Sequence, residues 1–597
     1  MAKQKYIAVI DFGSQYSHLI TRRLGELGIK TKLLTPQVNK NRLAKAAGLI
    51  LSGGPQSVIK KPVPYNQQLL RLKLPILGVC YGLQLMARDF GGRVTGGKIR
   101  EYGPANLKRH DQRNKLLTDW PKQSTVWMSH GDSVTKLPPG FITLGSTDTL
   151  RYAAVAHRHK PIFGVQFHPE VHHTPYGSIL YQNFAFNICG LKPQKLTSKL
   201  KAIEAGIRRQ VGEKKVFLLV SGGVDSTVAL AVLNRTLGKR RVYGLHIDTG
   251  LLREQESRLV KRQLAAAGLT NLHVVGAAGA FWRRLRSITE PETKRQIIGA
   301  TFLQIKAQVA KKLRLNTKSW LLGQGTIYPD TIESGGTKHA DKIKTHHNRI
   351  NVLAQLAARG LLVEPLKNLY KDEVRLIGAE LGLPKELLWA HPFPGPGLAV
   401  RALCLDSSRL KQLNQIYVSK ITVSKYNTRI LPLLSVGVQG DERSYRHPLA
   451  IEAPYSKATS LHYQAAKLTN KDKNINRILL KLSGPNLNIG KIKVATLTPQ
   501  RIKILRQADN IVTQELKQGN MYKNLWQCPT VLVPFGAKLG ESIVLRPFAS
   551  REAMTGRAYL LPQTVVRRIV RRLQALPAID YIFYDLTDKP PGTVEWE

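Results

Sequence analysis

Two stretches of this 597-residue chain carry side chains whose types and spacing could do chemistry. In the first, GVCYG, Cys80 stands between glycines at the end of an apolar run and before a helical-looking LQLMARDF. The glycines permit a sharp turn and a helix N-terminus favours a thiolate, so this is the pattern of a nucleophile at a strand-to-helix elbow. A lone cysteine at a strand end is more often a packed core residue, and the flanking glycines are what set Cys80 apart. A cysteine nucleophile needs an imidazole as base and a group to orient it. FGVQFHPE offers His168 with Glu170 two residues on, while His130 in WMSHGD and His172 and His173 are the alternatives. Ser52-Gly53-Gly54-Pro55 is a loop whose amides could bind an oxyanion, because only glycine lets the backbone approach so closely.

The second stretch is VFLLVSGGVDS, Val216 to Ser226, running into the helix-like TVALAVLNRTL. An apolar strand, a glycine turn and a helix start form a phosphate cradle from backbone amides. No lysine follows the glycines, so it is not a Walker A loop. Ser221, Gly222, Gly223, Val224, Asp225, Ser226 and Thr227 would hold a pyrophosphate through amides and hydroxyls, with Asp225 placed to help hold Mg²⁺. That set predicts cleavage of ATP between its α- and β-phosphates. A bare SGG would deserve no more than an ordinary turn; the whole SGGVDS after a strand is far more specific.

The elements that must position these residues follow one grammar. YIAVIDFG, AGLILSGGP, LPILGVCYG and VYGLHIDTG each read as an apolar strand ending in a polar or glycine turn, which predicts parallel α/β sheets in a multidomain α/β protein. The length predicts three or four domains. No apolar run is long enough to span a membrane, and the N-terminal stretch lacks the pattern of a signal peptide, so a cytoplasmic protein is expected. Four cysteines, Cys80, Cys189, Cys404 and Cys528, form no CxxC pair and are expected to be free thiols.

The chain carries 91 Lys and Arg against 39 Asp and Glu, a net +52. A nucleic-acid domain would concentrate such charge. Here the excess runs through every third of the chain, so we read a generally basic surface with no specific nucleic acid as partner. Even the densest run, VVRRIVRR, Val565 to Arg572, reads as a solvated helix face.

With these residues in place, the first part resembles the class I glutamine amidotransferases through DFGSQYS, LSGGP, GVCYGLQ, WMSHGD and GVQFHPE. The resemblance implies that Cys80 attacks the glutamine side-chain amide, with His168 as base and Glu170 as its orienter. It further implies the amides of Gly54 and Tyr81 as oxyanion hole, and Gln84 and Asp132 as glutamine contacts. SGGVDS resembles the PP-loop of the ATP-pyrophosphatases, which are adenine nucleotide α hydrolase-like. In that family the turn after the second strand, here IDTG, contacts adenosine and usually carries asparagine where this chain has Thr249. ETKRQIIGATF, LLGQGTIYPDTIES, KTHHN and HPFPGPGLAVR follow in order, and the set resembles the glutamine-hydrolysing GMP synthetase family, which aminates xanthosine monophosphate (XMP). Arg295 is then the candidate for the XMP phosphate. Thiolating relatives of the PP-loop enzymes carry cysteines in that domain, and residues 191 to 403 contain none.

The C-terminal part contains an internal repeat. RLKQLNQIYVSKITVSKYN parallels KILRQADNIVTQELKQGNMYKN, and INRILLKLSGPN parallels IDYIFYDLTDKPP, predicting two α+β units. GVQGDERSY lies in the first copy, and LRPFASREAMTG and KPPGTVEWE in the second, as in long forms of the family. The resemblance implies an XMP site of Asp441, Gln527, Lys589 and Glu595 beside Arg295. The expected domains are 1–190 (amidotransferase), 191–401 (ATP-pyrophosphatase), and the repeats 402–490 and 491–597. The expected activity converts ATP, XMP, glutamine and water to AMP, pyrophosphate, GMP and glutamate through adenyl-XMP, with Mg²⁺ as cofactor. A duplicated unit that pairs with itself predicts a monomer, a homodimer being the alternative. The competing class is a basic RNA-binding protein derived from this enzyme with a decayed synthetase site, to which Thr249 and the charge would belong.

Overall fold

A computed structural model describes residues 5–597 except 15, 111–113, 194–198, 317, 328–354, 416–422, 424–425, 440–441, 473, 539 and 551–555. KTHHN and Asp441 therefore lie outside the described residues. The chain forms two compact units, the first dominated by Met1–Thr197 and the second by residues from Ser198 on.

The first unit is built on a nine-stranded sheet: β1 (Tyr6–Ile10), β2 (Thr31–Leu34), β3 (Ala46–Leu51), β4 (Ile76–Val79), β5 (Arg93–Arg109), β6 (Gln123–Lys136), β7 (Phe141–Ser146), β8 (Ala154–His157) and β9 (Ile162–Val165), in the order β2-β1-β3-β4-β9-β8-β7-β5-β6. The half from β2 to β9 is parallel and the rest antiparallel. Strands β1, β4 and β9 are buried throughout, which is why they read as unbroken apolar runs rather than alternating ones. In the register Val79 pairs with Val165, so the chain leaving β4 and the chain leaving β9 emerge side by side.

In the second unit a five-stranded, all-parallel sheet has the order β12-β11-β10-β13-β14, with β10 (Lys215–Leu219), β11 (Val242–Asp248), β12 (Leu272–Gly276), β13 (Trp320–Gly323) and β14 (Leu362–Val363). The strand order changes direction at β10. Loops leaving the carboxyl ends of strands at such a point flank a crevice suited to a ligand.

The C-terminal part of this unit forms one continuous sheet shared by the two repeats. Its main path is Asn427–Ile430, Glu442–Glu452, Ile475–Ser483, Ile579–Asp585, Glu541–Leu545 and Thr530–Val533. Read from either edge, successive pairings are antiparallel, parallel, antiparallel, parallel, antiparallel. Each half is strand, strand, helix (Ala458–Lys471 or Gln563–Gln574), strand, and the two final strands pair at the centre. A three-stranded half has little apolar area to bury alone; joined, the halves bury Leu479, Leu480, Phe583 and Tyr584 completely. VVRRIVRR is the amphipathic face of Gln563–Gln574: Val565, Val566 and Ile569 are buried, and Arg568 and Arg572 pair with Glu515 at 2.7 and 2.9 Å. Among the described residues no helix is long and apolar enough to cross a membrane.

Candidate active sites of the two units

In the first unit Cys80 sits between β4 and the helix Tyr81–Asp89 with φ 50°, a region costly for a side chain other than glycine. The flanking glycines are required by contact: a Cβ on Gly82 would fall 2.3 Å from the Leu51 carbonyl oxygen, and one on Gly78 2.7 Å from the Leu83 nitrogen. Such a strained turn persists only because β4 and the helix fix both its ends.

His168, just beyond β9, is buried. Its Nδ1 lies 2.7 Å from Glu170 Oε1, and the neighbouring Cys80 thiol donates to the Ser129 carbonyl at 3.7 Å. The other Glu170 oxygen accepts from the Tyr181 hydroxyl at 3.2 Å, and Thr174 donates to the His168 carbonyl at 2.7 Å. Burial alone would suppress the imidazolium, but the Glu170 carboxylate, followed by Cys80, more than offsets it and raises His168 to about 10. The alternatives are otherwise engaged. His130 lies between Glu101 and the Asp132 carbonyl, each 3.1 Å away, and His173 packs on Trp127.

The Ser52–Pro55 loop closes on this site: a Cβ on Gly53 would lie 3.1 Å from His168 Cε1, and one on Gly54 2.8 Å from the Phe12 carbonyl oxygen. Tyr81 opens its helix, so its N–H has no intrahelical acceptor. Gln84 Nε2 donates to the Asp132 carbonyl at 2.7 Å, and Asp132 Oδ2 accepts from Ser57 at 2.5 Å. Gln166 Nε2 reaches Cys80 Sγ at 3.5 Å while its Oε1 faces Gln84. Sequence reasoning missed Ser57 and Gln166.

In the second unit, the loop after β10 turns at Gly222, φ 88°, into the helix Val224–Leu237. Ser226 Oγ accepts from the Ser221 amide at 3.2 Å and donates to the Gly223 carbonyl at 3.0 Å; the two serine hydroxyls lie 3.1 Å apart. Asp225 Oδ2 stands 3.5 Å from Lys371 Nζ. Among the described residues, Asp225 Oδ1 and Thr227 Oγ1 are buried with no hydrogen-bond partner. Two orphaned buried oxygens at a helix N-terminus fit a ligand that brings its own donors or positive charge, and a carboxylate oxygen suits Mg²⁺ in particular. On the neighbouring turn Thr249 Oγ1 accepts from the Leu251 amide and Asp248 Oδ1 from the Gly250 amide, at 3.1 and 3.0 Å, so threonine keeps this turn tight.

Farther along the chain, buried Arg401 donates to both Glu595 oxygens at 3.0 and 2.8 Å, and Gln527 donates to one of them at 3.1 Å. Arg295 donates to the Glu597 carbonyl oxygen, and fully buried Lys294 pairs with the Glu597 carboxylate at 2.6 Å. Gln527 and Glu595 thus meet, with Arg295 against the residue two beyond. Lys589 is placed by backbone pairing with Gly556. Far from fraying, the terminal segment is clamped: Arg477 and Arg546, both buried, pair with Asp585 at 2.8 and 2.9 Å and donate to the Thr593 carbonyl. Burial, then the neighbouring Arg546, lowers Arg477 to about 9. In the HPFPGPG loop His391 stacks on Tyr522 at 3.6 Å and donates from Nε2 to its carbonyl, 2.7 Å away; burial lowers it to about 4.

Residues 8–188 match the family model described as glutamine amidotransferase class-I, and residues 514–596 that of the GMP synthase C terminal domain. A probable glutamine-hydrolyzing GMP synthase of Leptospira interrogans is 41% identical over 100% of both chains. The glutamine-hydrolyzing GMP synthase of Dictyostelium discoideum is 35% identical over 99% of this chain and 94% of its own. That of Saccharomyces cerevisiae is 42% identical over 75% of this chain and 88% of its own.

Proposed function

Because the chain belongs to the glutamine-hydrolysing GMP synthase family, making GMP from XMP, ATP and glutamine, we propose that its two sites divide that reaction between them. The reading is carried by one pairing: a buried Cys80–His168–Glu170 set in the first unit, and in the second a phosphate loop whose Asp225 and Thr227 oxygens have no partner among the described residues.

In the first unit Cys80 attacks the amide carbon of glutamine. His168 takes the thiol proton and returns it to the leaving ammonia, and the Tyr81 and Gly54 amides hold the oxyanion. Gln84 and Asp132 orient the glutamine. Water then hydrolyses the thioester to glutamate. In the second unit the amides and hydroxyls of Ser221 to Thr227 cradle the ATP phosphates. Asp225 is the residue that would hold Mg²⁺, whose charge offsets that developing on pyrophosphate. The C2 oxygen of XMP attacks the α-phosphorus and pyrophosphate leaves; ammonia adds at C2 and AMP leaves with that oxygen. Arg295 takes the XMP phosphate, and Gln527, Lys589, Glu595 and Asp441 complete its site.

We assign residues 1–190 to the amidotransferase, 191–401 to the ATP-pyrophosphatase, and 402–490 and 491–597 to the two repeats. The shared sheet supports a monomer, since each half already supplies the other's partner strand. Sedimentation at micromolar concentration should give a single species near 66.6 kDa; a salt-independent dimer would contradict this. Four unpaired cysteines support a reducing cytoplasmic setting. A steady-state assay with XMP, ATP and glutamine tests the reaction: AMP, pyrophosphate and glutamate should each form one for one with GMP, and ADP release would refute it.

A further inference from the structure

We propose that Asp509 is a positioning residue through which the turn beside the phosphate loop and the XMP side of the synthetase site sense one another. The proposal rests on the ATP and XMP assignments above and assigns a role to the helix Pro499–Gln518, which contributes none of the residues of either.

That helix starts firmly, with Pro499 in its first turn and Thr498 capping the Arg501 amide at 3.2 Å. Arg506 and Asp509, three residues apart, share one face. Arg506 donates to the carbonyls of Gly250 and Leu252, at 2.5 and 2.7 Å, and so grips the turn that follows β11. Strands β10 and β11 are parallel neighbours, so this turn and the phosphate loop leave the same edge of the sheet. One helical turn on, buried Asp509 faces two cations from two different loops. Its Oδ2 lies 3.2 Å from Arg253 Nε, just past the turn, and its Oδ1 3.8 Å from Arg401 Nη1, at the end of HPFPGPGLAVR. Arg401 in turn holds Glu595 with two hydrogen bonds, and Glu595 receives Gln527. Both guanidiniums also lie over the Phe393 ring, at 4.5 and 5.2 Å.

The arrangement depends on charge more than on hydrogen-bond geometry. Among the described residues, buried Arg253 Nε and Arg401 Nη1 have no hydrogen-bond partner, although each faces an Asp509 oxygen. Two guanidiniums brought over one ring repel, and a single carboxylate between them is what permits the approach. The neighbouring Cys528 thiol feels the same carboxylate: burial, then the Asp509 charge, pushes it up to about 12. A ligand that moves Arg253 from the ATP side therefore changes the charge balance at Arg401 on the XMP side, and the reverse.

The test is a titration of the full chain with XMP, alone and with an ATP analogue blocked between the α- and β-phosphates. In the unaltered protein the analogue should tighten XMP binding at least about fivefold, the lower end of ordinary coupling between sites. Asp509→Asn, which keeps the shape and removes the charge, should bring that ratio to within about twofold of unity, and Asp509→Glu should restore most of it. If Asp509→Asn fails to fold, Arg253→Gln, which removes the ATP-side partner at a partly exposed position, should collapse the ratio in the same way. An unchanged ratio in a folded variant, or no coupling in the unaltered protein, overturns the proposal. Failure of the unaltered protein to bind XMP or the analogue at all overturns the substrate assignments beneath it instead.

Discussion

Cys80 and His168 leave two adjacent strands of one sheet, and every oxygen of Glu170 is already spoken for, by His168, Tyr181 and Arg23. The synthetase centre is the opposite case. Its phosphate loop follows β10, Lys371 and Arg401 come from later segments, and Glu595 and Gln527 come from the second repeat, with two buried oxygens of the loop left unpartnered among the described residues. The difference teaches what each site waits for. A neutral amide substrate can be met by a nucleophile set assembled in advance, whereas a site for two nucleotide phosphates must keep donors, acceptors and charge in reserve until those anions arrive.

If that contrast is right, the open site should depend most on its orphaned carboxylate. Asp225→Ala should lower AMP formation by roughly a thousandfold or more, equally with glutamine and with ammonium as nitrogen source, because it removes charge stabilisation of the departing pyrophosphate. A loss confined to the glutamine reaction would break the comparison. Glu170→Gln probes the closed site. Leaving the imidazole unsupported should slow glutamine hydrolysis by about a hundredfold while ammonium-dependent GMP formation persists.

The same contrast extends to two histidines titrating in opposite senses. His168 is raised to about 10, so its contribution to the first unit is complete below about pH 6.5 and is lost as pH rises through about 10. Amide exchange at β4 and β9, corrected for intrinsic rates, should show protection falling over that range, and Glu170→Gln should flatten it. His391 is lowered to about 4 and must stay neutral to stack on Tyr522. Its contribution is present above about pH 6.5 and lost as pH falls through about 4, a smaller effect because the ring is only partly buried. His391→Gln should remove that acid sensitivity from the HPFPGPG loop; retention of it would point to another group.

Much of this was legible in the sequence wherever function and local structure coincide. Strand-end turns with glycines announced both Cys80 and the SGGVDS loop, because tight turns constrain residue type whatever the rest of the chain does. What the sequence could not show is distance between segments. Glu170 and His168 are two residues apart and readable, but Arg401 and Glu595, or Asp509 and Arg253, meet only through tertiary packing, and nothing in a buried Lys294 distinguishes it from a basic helix start. The repeat was visible as similarity, yet its consequence, two halves completing one sheet, follows from edge strands needing partners and not from any motif. Thr249 looked like a defect and is accommodated by a hydroxyl that caps its own turn.

The central claim is that nitrogen enters GMP by way of Cys80 when glutamine is the donor, and that the phosphate-loop site works without it. The direct measurement supplies Cys80→Ala with XMP, ATP, ammonium of ordinary isotope and glutamine carrying heavy nitrogen in its side-chain amide, and reads the isotope in the GMP amino group. The account predicts GMP formed at the rate of the unaltered protein on ammonium, with no heavy nitrogen in it. Heavy nitrogen in the product, or a folded variant unable to use ammonium, would contradict the division of labour.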